Sequence, residues 1–390
     1  MIKVLIGPNG FGKTTRLEKD RDNLVNNVKI DEKEILFLKS EILLTDEMKD
    51  TKDETKTMEY ILTELLETEY IIRARKEFEK AIDLEISRNI GLLNKMVDET
   101  LIYNGQLRKG DFISVTEEKQ YKKLVKINSG DFFKKTGSGQ RMQLILSLVK
   151  NSRKKYIFLD EPEKYSHPSM LNITAKIIND LNDNGKDIYI ATHSPKLLSM
   201  LNISLNDIVV INDSSHIEKK LEFDTIINKL IKVLPIDNFG KKEKSYYDIK
   251  TCEENIKRIN YREFLESLFT KQVYLCEGIN DKLFLQKYLH DNARDFDDYF
   301  ILPVYGKYLL PLFIELFKKL SIDVAVIFDF DNDQTPQKEI NDFIISNVAK
   351  KYCFKVTLEK ELGYTGDKSN SLAFYEYLEN LTLNFEKYKL

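Results

Sequence analysis

Near the start of the chain an apolar run, Val4-Leu5-Ile6, breaks into Gly7-Pro8-Asn9-Gly10-Phe11-Gly12-Lys13-Thr14-Thr15, and a segment that reads as helix follows. Strand, glycine-rich loop and helix in that order, with the spacing G-x-x-x-x-G-K-[ST], describe a phosphate-binding loop. Glycines let the backbone curl until its N–H groups converge on phosphate oxygens at a helix N-terminus. Residues Gly7 to Gly12 would form that cradle, with Thr15 beside it. Lys13 would reach the β- and γ-phosphates, and the Thr14 hydroxyl would hold Mg²⁺. The plainer alternative, a glycine turn before a capped helix, leaves the Lys-Thr pair unexplained.

Two later strands carry matching chemistry. Tyr156-Ile157-Phe158-Leu159 is purely apolar, as a central parallel strand must be, and ends in Asp160-Glu161-Pro162-Glu163. Ligands sit at the carboxyl ends of such strands. Asp160 would orient Mg²⁺ through water, and Glu161 would polarise a water attacking the γ-phosphate. The strand Asp187–Ala191 leads into Thr192-His193-Ser194-Pro195, which places His193 to hydrogen-bond the γ-phosphate or that water. Ser138-Gly139-Gln140 opens a helix and is a second anion site. It is suited to a γ-phosphate yet distant in sequence from the first loop, which suggests composite sites completed by a second subunit.

These motifs resemble the Walker A, signature, Walker B and switch-histidine motifs of ABC-type ATPases, above all the branch with SMC/RecF-like heads. The resemblance covers residues 1–212. It implies ATP as cofactor and a homodimer formed through the ATPase heads, with two ATP molecules at the interface. Lys39-Ser40-Glu41 stands after the second strand, Ile35–Leu38, where that family places a glutamine. Between 46 and 101 the sequence is charged and poor in glycine, with Ile61, Leu62, Leu65, Leu66, Phe78, Ile82, Ile86 and Leu93 at three- and four-residue steps. That pattern predicts an amphipathic helical insert.

The 390 residues carry a net charge of -3, so any nucleic-acid surface must be a local basic patch rather than the whole protein. Lysine clusters such as 122–126, 153–155 and 241–244 offer candidates, although charge runs are usually solvated faces. Cys252, Cys276 and Cys353 have no metal-ligand spacing, and Cys276 and Cys353 read as buried free thiols in a reducing cytosol. Without a signal-peptide pattern or a long apolar run, the expectation is a soluble, cytoplasmic protein with no membrane partner.

Residues 213–265 read as a polar, lysine-rich connector with some helix. Beyond it, from 266 to 390, strands and helices alternate strictly, which predicts a second parallel sheet. Its strands are predicted at Val273–Cys276, Phe300–Val304, Val324–Phe328 and Cys353–Val356. The first ends in Glu277-Gly278-Ile279-Asn280-Asp281, and the third in Asp329-Phe330-Asp331-Asn332-Asp333. Two acidic clusters at strand ends of one sheet can converge into a hard-oxygen site for Mg²⁺ or Mn²⁺. Glu277, Asp281, Asp329 and Asp331 are the candidate ligands, with Asp329 and Asp331 expected to point the same way. Such sites activate water and stabilise a leaving oxygen on a phosphodiester. The alternative is a set of acidic loops on a non-catalytic sheet.

The E-G-x-x-D motif, Val304-Tyr305-Gly306-Lys307 and the D-x-D pair resemble a Toprim domain. An ABC-type ATPase followed by Toprim resembles the OLD (overcoming lysogenization defect) nuclease family. The resemblance implies metal-dependent nicking or cleavage of DNA, often in defence against phage, with RNA as the alternative substrate. It makes Glu277 a general acid/base or metal ligand and gives Lys307 a contact with phosphate or the transition state. It also calls for one more acid in Leu358-Glu359-Lys360-Glu361-Leu362, where Glu361 is the choice. A partner protein in a defence system and an assembly larger than a dimer are further expectations. No tyrosine stands out as a topoisomerase nucleophile, and no zinc module points to a primase. A non-nucleolytic ATPase sensor, whose second half only binds nucleic acid or a partner, remains the competing class.

Overall fold

A computed structural model describes residues 1–7, 10–39, 154–164, 167–211, 218–259, 261–292, 298–331, 336–383 and 385–388, residue 146, and nine positions between 73 and 88. Met1–Ile30 and Tyr156–Leu390 form one compact unit, and Asp31–Lys155 a second. In the second unit, strand β2 (Ile35–Leu38) is buried along its length, and the positions described between 73 and 88 are helical and exposed. The rest of the predicted insert, the strand pieces near 112–115 and 124–127, and Ser138-Gly139-Gln140 lie outside the described residues.

The first unit opens on β1 (Ile2–Ile6) and the helix Lys13–Asn26, then continues with β3 (Tyr156–Asp160), the helix Leu171–Asp183, β4 (Asp187–Thr192), β5 (Ile208–Ile211) and β6 (Glu218–Lys220). Its strands run in the order β3-β4-β1-β5-β6, parallel except for the last pair. Val4, Ile6, Ile157, Ile188, Ile190, Ile208 and Val210 are fully buried. Each such side chain contributes about 1.5–3 kcal/mol by leaving water. The register pairs Ile6 with Thr192 and Asp160 with Ala191. The phosphate loop, the Asp160-Glu161 pair and His193 therefore leave the sheet at one edge.

The second sheet has the order β10-β9-β7-β8 and is parallel throughout: β7 is Gln272–Cys276, β8 Tyr299–Pro303, β9 Asp323–Asp329 and β10 Lys350–Phe354. Phe284 of the helix Ile279–Asp291 is its aromatic hub, with ring centroids 5.5 Å from Phe354 and 5.0 Å from Tyr388. Behind the other face, Phe313 of the helix Leu310–Lys319 packs on Phe264 at 5.8 Å. Strand β10 lies about three residues before its predicted place. Lys350 and Lys351 occupy an edge strand, where charge is tolerated, so the apolar run misplaced it.

The connector, expected to hold some helix, is helical where described at Phe223–Val233, Lys241–Ser245 and Ile249–Ile259. Phe223, Ile226, Ile227 and Leu230 are buried, and Lys229 and Glu222 form ion pairs with Glu315 and Lys319. Cys252 and Cys276 are buried free thiols, but Cys353 is only partly covered, because it too sits on the edge strand. Among the described residues no helix is long and apolar enough to cross a membrane.

Candidate functional site

At the edge of the first sheet, Gly7 has φ +147°, and a Cβ there would sit 2.2 Å from the carbonyl oxygen of Ile211. Only glycine fits, so the loop leaves β1 hard against β5. Gly10 and Gly12 also adopt positive φ, and Phe11 and Thr15 lie in the same loop-to-helix passage. Lys13 is buried, and its ammonium donates to the Gly7 carbonyl at 2.9 Å. Burial lowers the Lys13 pKa, while Glu161, Asp160 and Glu163 pull it back up. Thr14 Oγ1 donates to Asp160 Oδ2 at 3.0 Å, bringing together the two groups expected at Mg²⁺. Pro8 and Asn9 lie outside the described residues.

Glu161 sits in left-handed backbone at φ 49°, a strained conformation for a residue with a side chain. Lys164 stands 3.1 Å from its carboxylate, and His193 Nδ1 stands 3.2 Å from it. Burial works against the charge, yet Lys164, His193 and Lys13 hold the Glu161 pKa below the usual carboxylate range. An ionised acid beside an imidazole, at the edge where the loop cradles anions, can orient and polarise a water. The glycine cradle and the Thr14–Asp160 pair fit a nucleotide triphosphate with its cation.

At the second edge, β7 delivers Glu277 beside the end of β9. Glu277 Oε1 accepts from the Asp329 backbone N–H at 3.1 Å. Asp281, in the first turn of the helix Ile279–Asp291, accepts from the Gly278 N–H at 2.8 Å and so caps that helix. Asp329 Oδ1 accepts from the Leu358 N–H at 2.8 Å. Asp331 does not repeat the direction of Asp329. Strand β9 ends at Asp329, and Asp331 lies beyond it in left-handed backbone at φ 59°, so strand alternation no longer applies. Its carboxylate pairs with Lys307 at 2.9 Å.

Lys307 is 4% exposed and also donates to the carbonyls of Asp329 and Phe330. Its contacts hold the loop after β9. Glu361 stands apart from the cluster: it accepts from the Tyr352 hydroxyl and from the Lys355 N–H at 3.0 Å, and faces Lys387. The glutamate whose charge reaches Asp281 and Asp329 is Glu359. With β10 ending at Phe354, Thr357 caps the helix Leu358–Leu362 and turns Glu359 inward.

Three participants escaped the sequence reading. Glu359 is bound by Asn280 Nδ2 at 3.0 Å and by Lys368 at 3.1 Å, and Asn280 also reaches the Lys368 carbonyl at 3.0 Å. Burial works against the charge of Glu359, but those two partners lower its pKa. Asn280 lies inside the E-G-x-x-D motif and was there to be found. Lys368, in a polar stretch near the C-terminus, carried no sequence signal.

Crowding shows in the proton equilibria. Burial, joined by Asp329 and Asp331 and opposed by Lys307, pushes Glu277 up to about 7. Burial and Asp331 push Asp329 up to about 6. Burial, Glu277 and Asp329 hold Asp281 well above its ordinary value. Among the described residues, no three His, Cys, Asp or Glu side chains stand close enough together to hold an ion as they are. The donors are nonetheless all hard oxygens whose mutual repulsion a divalent cation would relieve, and in that chemistry they fit Mg²⁺ or Mn²⁺.

These raised values predict a pH dependence. The folded chain binds more protons than the unfolded one between the ordinary Glu277 value of 4.5 and its folded value of about 7. This contribution to stability is full below that window and is lost as pH rises through it. For Glu277 alone the loss is on the order of 3 kcal/mol. In calorimetry without divalent ions, Tm should fall between mildly acid and mildly alkaline buffer. Glu277→Gln or saturating Mg²⁺ should flatten that slope, and an unchanged slope in Glu277→Gln would contradict the assignment.

Residues 268–331 match a family model described as "Overcoming lysogenization defect protein-like, TOPRIM domain". The chain is similar to "Endonuclease GajA" of Bacillus cereus (strain HuB5-5), at 24% identity over 60% of this chain and 34% of that protein. It is similar to "Old nuclease" of Escherichia phage P2, at 28% identity over 45% of this chain and 27% of that protein. "Energy-coupling factor transporter ATP-binding protein EcfA2" of Mycoplasma mobile (strain ATCC 43663 / 163K / NCTC 11711) matches at 26% identity, over 64% of this chain and 88% of that protein. The chain thus spans about a third or less of the length of the two nucleases.

Proposed function

We propose that this chain, an OLD-family protein in which an ABC-type ATPase is joined to a Toprim domain, is an ATP-governed endonuclease that cuts DNA with a divalent cation. The observation that supports the reading most is the convergence of Glu277 and Asp329 at one sheet edge, with Asp281 and Glu359 electrostatically coupled to them. We divide the chain at about residues 212 and 265 into ATPase, connector and nuclease parts.

Glu277, Asp281, Asp329, Asp331 and Glu359 are the residues that would hold Mg²⁺ or Mn²⁺, with Glu359 taken in place of Glu361. When bound, the cation supplies Lewis-acid stabilisation of charge on the phosphodiester. Glu277, tied to the Asp329 N–H at the end of β9, is the carboxylate placed to take a proton from an attacking water where it is not itself bound to the cation. Lys307 holds the β9 loop so that the carboxylates stay in place. Lys368, exposed beside Glu359, is the cation available to a phosphate. In the ATPase half, Lys13 and the glycine loop bind the phosphates, Thr14 and Asp160 hold Mg²⁺, and Glu161 with His193 directs the attacking water. Ser138-Gly139-Gln140 of a second copy would close each nucleotide site.

A role in defence against phage, with a partner protein, belongs to the same proposal and rests on the family alone. The test is incubation of the pure chain with plasmid DNA, phage DNA and tRNA, across Mg²⁺ and Mn²⁺, with and without ATP. Cut DNA supports the reading, cut tRNA alone moves it to RNA, and three intact substrates leave the sensor reading in its place.

A further inference from the structure

His193 can serve ATP hydrolysis only if one ring nitrogen is held toward the phosphate, yet its side chain is 42% exposed. Glu163 is in place to hold it. This glutamate follows β3 by three residues and is 8% exposed. Its Oε1 accepts from Thr192 Oγ1 at 2.5 Å and from the His193 backbone N–H at 3.1 Å. Thr192 Oγ1 in turn accepts from the Ser194 N–H at 3.0 Å, so one carboxylate pins the whole turn that ends β4.

The ring is caught in the same grip. His193 Nδ1 lies 3.2 Å from Glu161 Oε1 and 3.7 Å from Glu163 Oε1. With two carboxylates on the Nδ1 side, Nε2 is the nitrogen left to face a phosphate. The other oxygen, Glu163 Oε2, is buried with no hydrogen-bond partner among the described residues. Burying a carboxylate with one oxygen unsatisfied costs free energy that an apolar side chain would not. The position therefore carries a penalty for stability, and the contact with the His193 turn is what it obtains in return.

We propose that Glu163 is a positioning residue for ATP hydrolysis, fixing the His193 backbone and ring so that Nδ1 faces Glu161 and Nε2 faces the γ-phosphate. The proposal rests on the nucleotide reading above. It gives the fourth residue of Asp160-Glu161-Pro162-Glu163 a role separate from the two acids before it. Glu161 shares the contact with the ring, but it is Glu163 that also binds the His193 backbone N–H and Thr192, while Asp160 is engaged with Thr14.

The experiment compares the full chain with Glu163→Gln, His193→Ala and the double variant, measuring steady-state ATP hydrolysis and ¹⁵N NMR of histidine-labelled protein. The amide of Glu163→Gln keeps an oxygen for Thr192 and the His193 N–H, so the fold is retained. The expected kcat loss in Glu163→Gln is on the order of 10²-fold with KM for ATP unchanged. The double variant should be no slower than His193→Ala alone, since both act through one group. The His193 ring signals, assigned by their loss in His193→Ala among the 4 histidines, should change, because the variant removes a carboxylate from the Nδ1 side of the ring. A wild-type kcat in Glu163→Gln, additive losses in the double variant, or unchanged ring signals would overturn the proposal. If the wild-type chain neither binds nor hydrolyses ATP, the nucleotide reading fails, and the ring signals alone then decide whether Glu163 sets the histidine.

Discussion

Replacing Glu277 with Ala will abolish the proposed metal-dependent DNA cleavage, by at least about 10³-fold, and leave the proposed ATP hydrolysis at the wild-type rate. The size follows from the two duties that converge on this side chain. Burial pushes its carboxyl up to about 7, and it is tied through Oε1 to the Asp329 N–H at 3.1 Å. Truncation removes a proton carrier and frees the β9 end that presents the neighbouring carboxylate. Glu277→Gln should keep the Asp329 hydrogen bond and still lose cleavage. That pair of variants separates proton transfer from scaffolding, and full cleavage in Glu277→Gln would remove the general-base role. Intact ATP hydrolysis is expected because Glu277 lies on the second sheet and makes none of the contacts around Lys13, Glu161 or His193.

The second large effect belongs to the other sheet. Lys13→Ala will lower kcat/KM for ATP hydrolysis by on the order of 10²–10³-fold, the usual cost of deleting one preorganised charge at a transferring phosphoryl group. Lys13 is buried with its ammonium against the Gly7 carbonyl at 2.9 Å, inside the loop it would share with a nucleotide. Three acids, Glu161, Asp160 and Glu163, surround that charge. If ATP governs cutting, cleavage by Lys13→Ala should no longer respond to added ATP while still requiring Mg²⁺ or Mn²⁺. Nucleotide binding by fluorescence titration and phosphate release measure the first part. A variant whose cleavage still follows ATP would separate the two halves of the account.

The parts legible in the sequence were those in which residue type, spacing and element coincide. Gly7 to Thr14 could be read because only glycine fits against Ile211, and the loop is bounded by a strand and a helix. The second sheet could be read because its buried strands are apolar and its helices fall between them. Where a charged edge strand broke that rule, at Lys350 and Lys351, the boundary slipped. The choice of Glu361 came from the family resemblance, and Glu359 is the glutamate that Asn280 binds. The different partners of Asp329 and Asp331 were hidden for a different reason. Strand alternation predicts direction only within a strand, and β9 ends at Asp329, before the left-handed backbone of Asp331. Lys307 was visible as a basic residue in a glycine turn, yet its burial beneath the β9 loop depends on neighbours from another strand. Glu163 stood in plain view, and its role emerges only from the pairing of β3 with β4.

Crystals of the chain grown with Mn²⁺ and measured at the manganese absorption edge would locate the cation by its own scattering. The account predicts an anomalous peak among Glu277, Asp329 and their acidic neighbours, lost in Glu277→Ala, beside any peak at Thr14 and Asp160. Manganese found only at the nucleotide site, with the second sheet edge empty at saturating Mn²⁺, would contradict it.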